Sequence, residues 1–278
     1  MQIAIVSGKG GTGKTTVALS IALSHERVHL LDADVDEPNC ALFLGMKTHK
    51  IGVSEILIPE IDKNKCTLCG KCSENCEYKA LMKLPGEILV LEKMCHGCGL
   101  CSYICPENAI KEVPRTIGKI YESSSNSILF HFGELIVGEE LSTPVIKTLK
   151  EYISPSEKLV IIDAPPGSAC SMVESVIDSD FTILVSEPTP FGLSDMKLVV
   201  KTLKILGKSF GVIINKDGIG DDELEKYCNS EKIPILMRIP FDIEIAKKYA
   251  VGVPLVQAFP KFSNAFQNMI NEIKEMLK

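Results

Sequence analysis

Two sets of residues in this sequence have the types and spacing for chemistry. The stretch Gly8-Lys9-Gly10-Gly11-Thr12-Gly13-Lys14-Thr15-Thr16 contains the pattern GxxxxGK(S/T) from Gly8 to Thr15. Glycines let a backbone curl until its N–H groups converge on phosphate oxygens, a lysine reaches the β- and γ-phosphates, and the Thr hydroxyl ligates Mg²⁺. The second set is two runs of four cysteines, Cys66-x2-Cys69-x2-Cys72-x3-Cys76 and Cys95-x2-Cys98-x2-Cys101-x3-Cys105-Pro106. Three closely spaced thiolates cap three irons of a [4Fe–4S] cube, and in two-cluster proteins the fourth cysteine of each run ligates the other cube. Zinc sites use pairs of CxxC rather than triplets with a fourth cysteine. The spacing thus assigns Cys66, Cys69, Cys72 and Cys105 to cluster I, and Cys95, Cys98, Cys101 and Cys76 to cluster II.

The elements that must hold these residues follow from the hydrophobic pattern. Residues 2–7 read as a short buried strand and residues 15–24 as a helix with an apolar face, the strand–loop–helix context a phosphate loop requires. Residues 28–31 form a second apolar strand that ends in Asp32-Ala33-Asp34, placing carboxylates at the carboxyl edge of a sheet. Asp36 and Glu37 read as a solvated turn, and Cys40 as a small buried hydrophobe. Residues 159–162 are a third such strand, ending in Asp163, where a carboxylate would hold Mg²⁺ directly or through water. Residues 115–127 read as a return crossover with a polar turn at 123–126. Residues 128–132 and 181–185 read as strands, residues 142–153 and 192–206 as helices, the first capped by Ser142 or Thr143. The last helix, residues 261–278, is amphipathic but mixes Lys and Glu, so it is expected to pack on the core rather than lie on a membrane.

The loop has a second lysine, Lys9, and so resembles the MinD/ParA-type ATPases with a deviant Walker A loop, KGGxGK(S/T). The cysteine runs have the spacing of bacterial ferredoxins, with Glu77 in place of the usual proline after the first run. Together the chain resembles MinD-superfamily P-loop ATPases that contain an inserted ferredoxin domain, with the scaffold ATPases of iron–sulfur assembly and the nitrogenase iron protein as more distant relatives. The resemblance implies an α/β P-loop NTPase with a mostly parallel sheet flanked by helices, residues 1–61 and 115–278, interrupted by a small α+β two-cluster ferredoxin domain, residues 62–114. It assigns nucleotide binding to Gly8, Gly10, Gly11, Thr12, Gly13, Lys14, Thr15 and Thr16, and a supporting role to Asp32. Lys9 would reach a partner's phosphates across a dimer interface. Asp34 would orient the attacking water, Asn215 would read the adenine edge, and Pro240 with Phe241 would wall the base. Gly167 would sense the γ-phosphate, while Gly192 and Asp195 match an EPTxxGLxD pattern with a structural or interfacial part. Cys170 stands where the nitrogenase iron protein has a bridging-cluster ligand, but no second cysteine accompanies it, and it reads as a small residue under the loop after Asp163. His96 reads as a partly exposed loop histidine.

Composition narrows the rest. A net charge of −6, a pI near 5.5 and the absence of Trp argue against a nucleic-acid partner. No run of 18 apolar residues suggests a membrane span, and a chain that opens on a strand is expected in the cytoplasm. Eight of the eleven cysteines fall between positions 66 and 105, which in a cytoplasmic chain points to metal chemistry rather than disulfides. The expected cofactors are ATP or ADP, Mg²⁺ and two [4Fe–4S] clusters. The expected partners are a second copy or a paralogue, and a redox or cofactor-assembly protein. Three activities fit: an ATPase whose dimer switching gates electron transfer, a cluster scaffold or carrier, and a positioning ATPase of the MinD/ParA kind.

Overall fold

Strands such as VHLLD and LVIID are apolar on both faces, so they can be buried only between two layers of helices. The computed structural model describes residues 1–125 and 127–278 and has that three-layer form. In chain order the elements are β1 (Gln2–Val6), α1 (Lys14–Ser24), β2 (Val28–Asp32), α2 (Cys40–Leu44) and β3 (His49–Ile61). Then come α3 (Lys71–Glu74), β4 (Leu81–Leu84), β5 (Glu87–Val90), α4 (Leu100–Tyr103), β6 (Ile110–Ser124) and β7 (Ile128–Leu135). The remainder is α5 (Ser142–Lys150), β8 (Leu159–Asp163), α6 (Cys170–Val176), β9 (Phe181–Ser186), α7 (Pro190–Ile205) and β10 (Phe210–Asp217). It ends with α8 (Glu223–Ser230), β11 (Ile235–Pro240), α9 (Ile243–Ala250), α10 (Leu255–Ala258) and α11 (Lys261–Met276).

One sheet runs β11-β10-β9-β1-β8-β2-β7-β6-β3. The strands from β11 to β7 are parallel, and β6 and β3 are added antiparallel at one edge. Val145, Leu149, Met172, Met196 and Leu203 close one face. Val17, Ile21, Phe266 and Ile270 close the other. The last helix packs as its pattern requires: Phe262, Phe266, Met269, Ile270 and Ile273 are buried.

The segment expected to cross over at 115–127 is instead part of β6, which pairs β7 on one side and β3 on the other. Ile117 and Ile120 are fully buried by those neighbours, and this long-range pairing outweighs Pro114 and Gly118. The strand runs without a break through residue 114. Of the polar turn expected at 123–126, Ser123 and Ser124 end β6, and residue 126 lies outside the described residues. Helix α5 starts after Leu141 with no side-chain cap, so neither Ser142 nor Thr143 caps it. Helix α7 begins earlier than its apolar pattern, at Pro190, because the Thr189 hydroxyl accepts the Gly192 N–H at 3.0 Å.

Between β3 and β6 the chain repeats itself. Each cysteine run wraps a one-turn helix, α3 or α4, and positive φ recurs at matching positions: Leu68 and Gly97, Gly70 and Gly99, Lys79 and Asn108. Cys76 Sγ accepts the Ala80 N–H and Cys105 Sγ the Ala109 N–H, both at 3.3 Å.

Candidate functional site

The phosphate loop leaves the end of β1 and enters α1, next to the ends of β2 and β8. Gly13 has φ +98, and a Cβ there would meet Asn215 Nδ2 at 2.2 Å, so glycine is required on both counts. That approach lets Asn215 donate to the Thr12 carbonyl at 2.7 Å. A cavity of about 750 Å³ opens over the loop, in the size range of small-ligand sites. Gly10, Gly11, Gly13, Lys14, Thr15, Thr16, Asp34, Asn215, Pro240 and Phe241 all border it. Gly8 packs beneath on Asp195 of α7, and Thr12 is buried. Phe241 is 54% exposed, so its ring covers the cavity from one side only.

Three carboxylates meet under the loop. Asp163 Oδ2 accepts the Thr15 hydroxyl at 2.7 Å and lies 3.6 Å from the Cys40 thiol. Asp32 Oδ2 accepts the backbone N–H groups of Asn39 and Cys40, each at 2.9 Å, and its Oδ1 accepts that of Asp34 at 3.2 Å. Asp32 therefore shapes the turn that presents Asp34, and Asp34 faces Lys14 Nζ at 3.8 Å. Burial, reinforced by the neighbouring Asp163, pushes the Asp32 carboxyl up to about 7. Burial likewise raises Asp163, against the pull of Lys14 and the Thr15 hydroxyl. Asp34 is raised to about 6 by burial despite Lys14. Asp163 Oδ1 is buried without a hydrogen-bond partner. A hard, unpartnered carboxylate oxygen beside a Thr hydroxyl fits Mg²⁺. Cys40 is buried as its sequence context suggests, but also caps this carboxylate pair.

Lys9 is held within its own chain, with Nζ 3.2 Å from Glu187 Oε2. Glu187 also pairs with Lys216, whose Nζ donates to the Gly11 carbonyl at 3.2 Å. Burial pushes the Glu187 carboxyl up, but Lys216 and Lys9 outweigh it and hold the group below its ordinary value. The Gly167 N–H donates to the Ser7 carbonyl at 2.9 Å, so it is not free for a phosphate here. Cys170 is exposed at the start of α6 rather than tucked beneath a loop. Lys216 did not stand out in the sequence, and Glu187 did so only as the first residue of the EPTxxGLxD pattern, because each acts through a residue distant in the chain.

The cysteines gather in two cavities with crossed membership. One is bordered by Cys66, Cys69, Cys72 and Cys105, the other by Cys76, Cys95, Cys98, Cys101 and also Cys72. Burial pushes the Cys101 thiol up to about 11, so an isolated thiolate is disfavoured there, whereas iron would take the place of the proton. Eight cysteines over two cavities, Cys72 bordering both, supply the four thiolates that each of two four-cysteine clusters needs. His96 is exposed and stacks on Tyr78 with ring centroids 3.7 Å apart at the mouth of the second cavity. No described helix is long and apolar enough to cross a membrane.

The profile of the CobQ/CobB/MinD/ParA nucleotide binding domain matches residues 3–255. An uncharacterised protein of Methanocaldococcus jannaschii is 34% identical over 285 residues, covering 100% of this chain and 98% of its own. An iron–sulfur cluster carrier protein of the same organism is 23% identical over 298 residues, covering 100% of this chain and 85% of its own. Among solved structures, the septum site-determining protein MinD with Mg-ADP from Pyrococcus horikoshii OT3 superposes with a TM-score of 0.58 at 22% identity, over 99% of this chain and 96% of that one. At that identity the superposition shows the fold alone.

Proposed function

Because the chain belongs to the CobQ/CobB/MinD/ParA nucleotide-binding family, we propose that it is a Mg²⁺-dependent ATPase whose nucleotide state governs electron transfer through two [4Fe–4S] clusters. The carrying observation is that a single chain has both a phosphate loop under an open cavity and two cavities bordered by the eight cysteines of the two runs, with Cys72 bordering both. In this reading residues 1–61 and 115–278 form the ATPase, and residues 62–114 the inserted ferredoxin-like domain. When bound, each cluster accepts or gives one electron.

The roles in this reading are those the family resemblance implies, and the geometry is consistent with them. Backbone N–H groups of residues 8–16 cradle phosphate, Lys14 exchanges Asp34 for the β- and γ-phosphates, and Thr15 with Asp163 holds Mg²⁺. Asp34, released from Lys14, orients the attacking water, while Asn215, Pro240 and Phe241 surround the base. Lys9 leaves Glu187 to place its charge on phosphate in a second copy or a paralogue, as an arginine finger would. Dimer closure then becomes the state that nucleotide selects. Cys66, Cys69, Cys72 and Cys105 hold cluster I, and Cys95, Cys98, Cys101 and Cys76 hold cluster II.

Anaerobically purified protein should contain about eight irons per chain, from two four-iron clusters, and should hydrolyse ATP. A full iron complement with no affinity for adenine nucleotides contradicts the reading. A second reading, delivery of clusters to other proteins, draws on the name of the cluster-carrier relatives and on the exposure of Cys69 and Cys98. Incubating loaded protein with an iron-free ferredoxin separates the two, since a carrier loses iron to it and an electron carrier does not.

A further inference from the structure

One arginine stands between the nucleotide half and the second cysteine run. Arg115 lies on β6 opposite Ile56 of β3, its side chain is 13% exposed, and it pairs with the buried Glu139. That pair uses Nη1, and both Nε and Nη2 are buried without a hydrogen-bond partner. A guanidinium does not give up its proton, and buried donors left unmade are costly. This place in the fold calls for a further acceptor of negative charge.

The Cys95–Cys98 loop lies beside it. A Cβ on Gly97 would meet Ile56 Cβ and the Leu57 carbonyl oxygen at 3.2 Å, so the loop rests on the strand position opposite Arg115. Cys95 is buried in the same apolar cluster as Ile56, Ile58 and Ile117. Glu77 and Glu112 border the same cavity, so local carboxylates already oppose added negative charge.

We propose that Arg115 sets the reduction potential of cluster II through its fixed positive charge beside the Cys95–Cys98 loop, with Glu139 partly cancelling that charge. The inference rests on the cluster reading given above. Reduction adds one electron to an already anionic cluster, so a nearby cation favours the reduced form and raises the potential. The same pair lies on a path to the nucleotide. The Glu139 N–H donates to the Ile136 carbonyl at 3.0 Å, the Ile136 N–H to Ile117 at 2.9 Å, and the Leu135 N–H to the carbonyl of Val35 at 2.9 Å. Val35 follows Asp34, the partner of Lys14. Lys93, two residues before Cys95, donates to the Gly138 carbonyl of that segment at 3.5 Å. These contacts join the segment that carries Glu139 to both the turn after Asp34 and the second cysteine run.

The test is an anaerobic, EPR-monitored redox titration of the iron-loaded full chain without nucleotide. Arg115→Gln should lower one of the two potentials, Arg115→Lys should lower it less, and Glu139→Gln should raise the same one. The potential that moves should be the one Cys98→Ser perturbs and Cys69→Ser leaves in place. Unmoved potentials, both moving together, or Arg115→Gln and Glu139→Gln shifting one in the same direction overturn the proposal. Should Arg115→Gln fail to hold its cluster, Glu139→Gln decides alone: a rise supports the proposal and no change overturns it. Variants that hold no iron along with the parent contradict the cluster reading as well, whereas iron-replete proteins with unmoved potentials contradict only the part given to Arg115.

Discussion

The phosphate loop and the cysteine runs rest on opposite kinds of support. The loop leaves β1, which lies between β8 and β9 inside the sheet, and Ile3, Ala4, Ile5 and Val6 are all 0% exposed. The cysteine runs hang between β3 and β6, at the sheet's edge, and most residues from 62 to 79 are exposed or half-exposed. In the first region, order comes from apolar surface removed from water. A segment of about 50 residues has too little of it to fold on such terms, and in the proposed reading bound iron supplies the difference. The two regions should then fail independently.

Lys14→Ala tests that independence with the largest effect. Removing the cation that meets the phosphates should lower ATP turnover by about 10²–10³-fold, the scale for loss of one transition-state donor, while iron content is unchanged. Turnover assays and iron determination on the same sample check it. If iron is lost together with turnover, the two regions are not separate.

Iron removal is the converse. Chelation should strip amide-exchange protection from residues 62–109 and leave β1, β8 and β9 protected, with nucleotide binding retained. Loss of protection throughout the sheet would make the edge hairpin part of one cooperative unit.

The smallest effect concerns the carboxylates beneath the loop. Burial, with Asp163 beside it, pushes the Asp32 carboxyl up to about 7 in the fold, against about 3.9 for an unperturbed aspartate. Between those values the native state keeps a proton that the unfolded state has lost, so this group's contribution to stability falls as pH rises. In nucleotide-free protein, Asp32→Asn should therefore gain stability relative to the parent as pH rises from about 4 to about 7. Chemical denaturation at a series of pH values reads the difference. A constant difference across that range would mean that burial does not hold the proton there.

What could be read in the sequence was what neighbours in the chain decide. The loop from Gly8 to Thr16, the strand ends at Asp32 and Asp163, and the two cysteine runs each carry their meaning within a dozen residues. β6 did not, since Pro114 and Gly118 look like breaks until β3 and β7 pair with it. The partners of Lys9 and Cys40 were equally hidden, because Glu187 and Asp163 come from β-strand ends far along the chain. Arg115 looked like an ordinary charged residue, and only the fold buries it beside Glu139. The apolar wall expected from Pro240 and Phe241 does border the cavity, although Phe241 stays half in solvent.

The proposed link between the two regions is tested most directly by the reduction potentials of the iron-loaded protein in three states: nucleotide-free, with Mg·ADP, and with a non-hydrolysable Mg·ATP analogue. The account predicts that one potential, that of the cluster held by Cys76, Cys95, Cys98 and Cys101, shifts with the ATP analogue and returns with ADP. Superimposable titrations in all three states, with nucleotide shown to be bound, would contradict it.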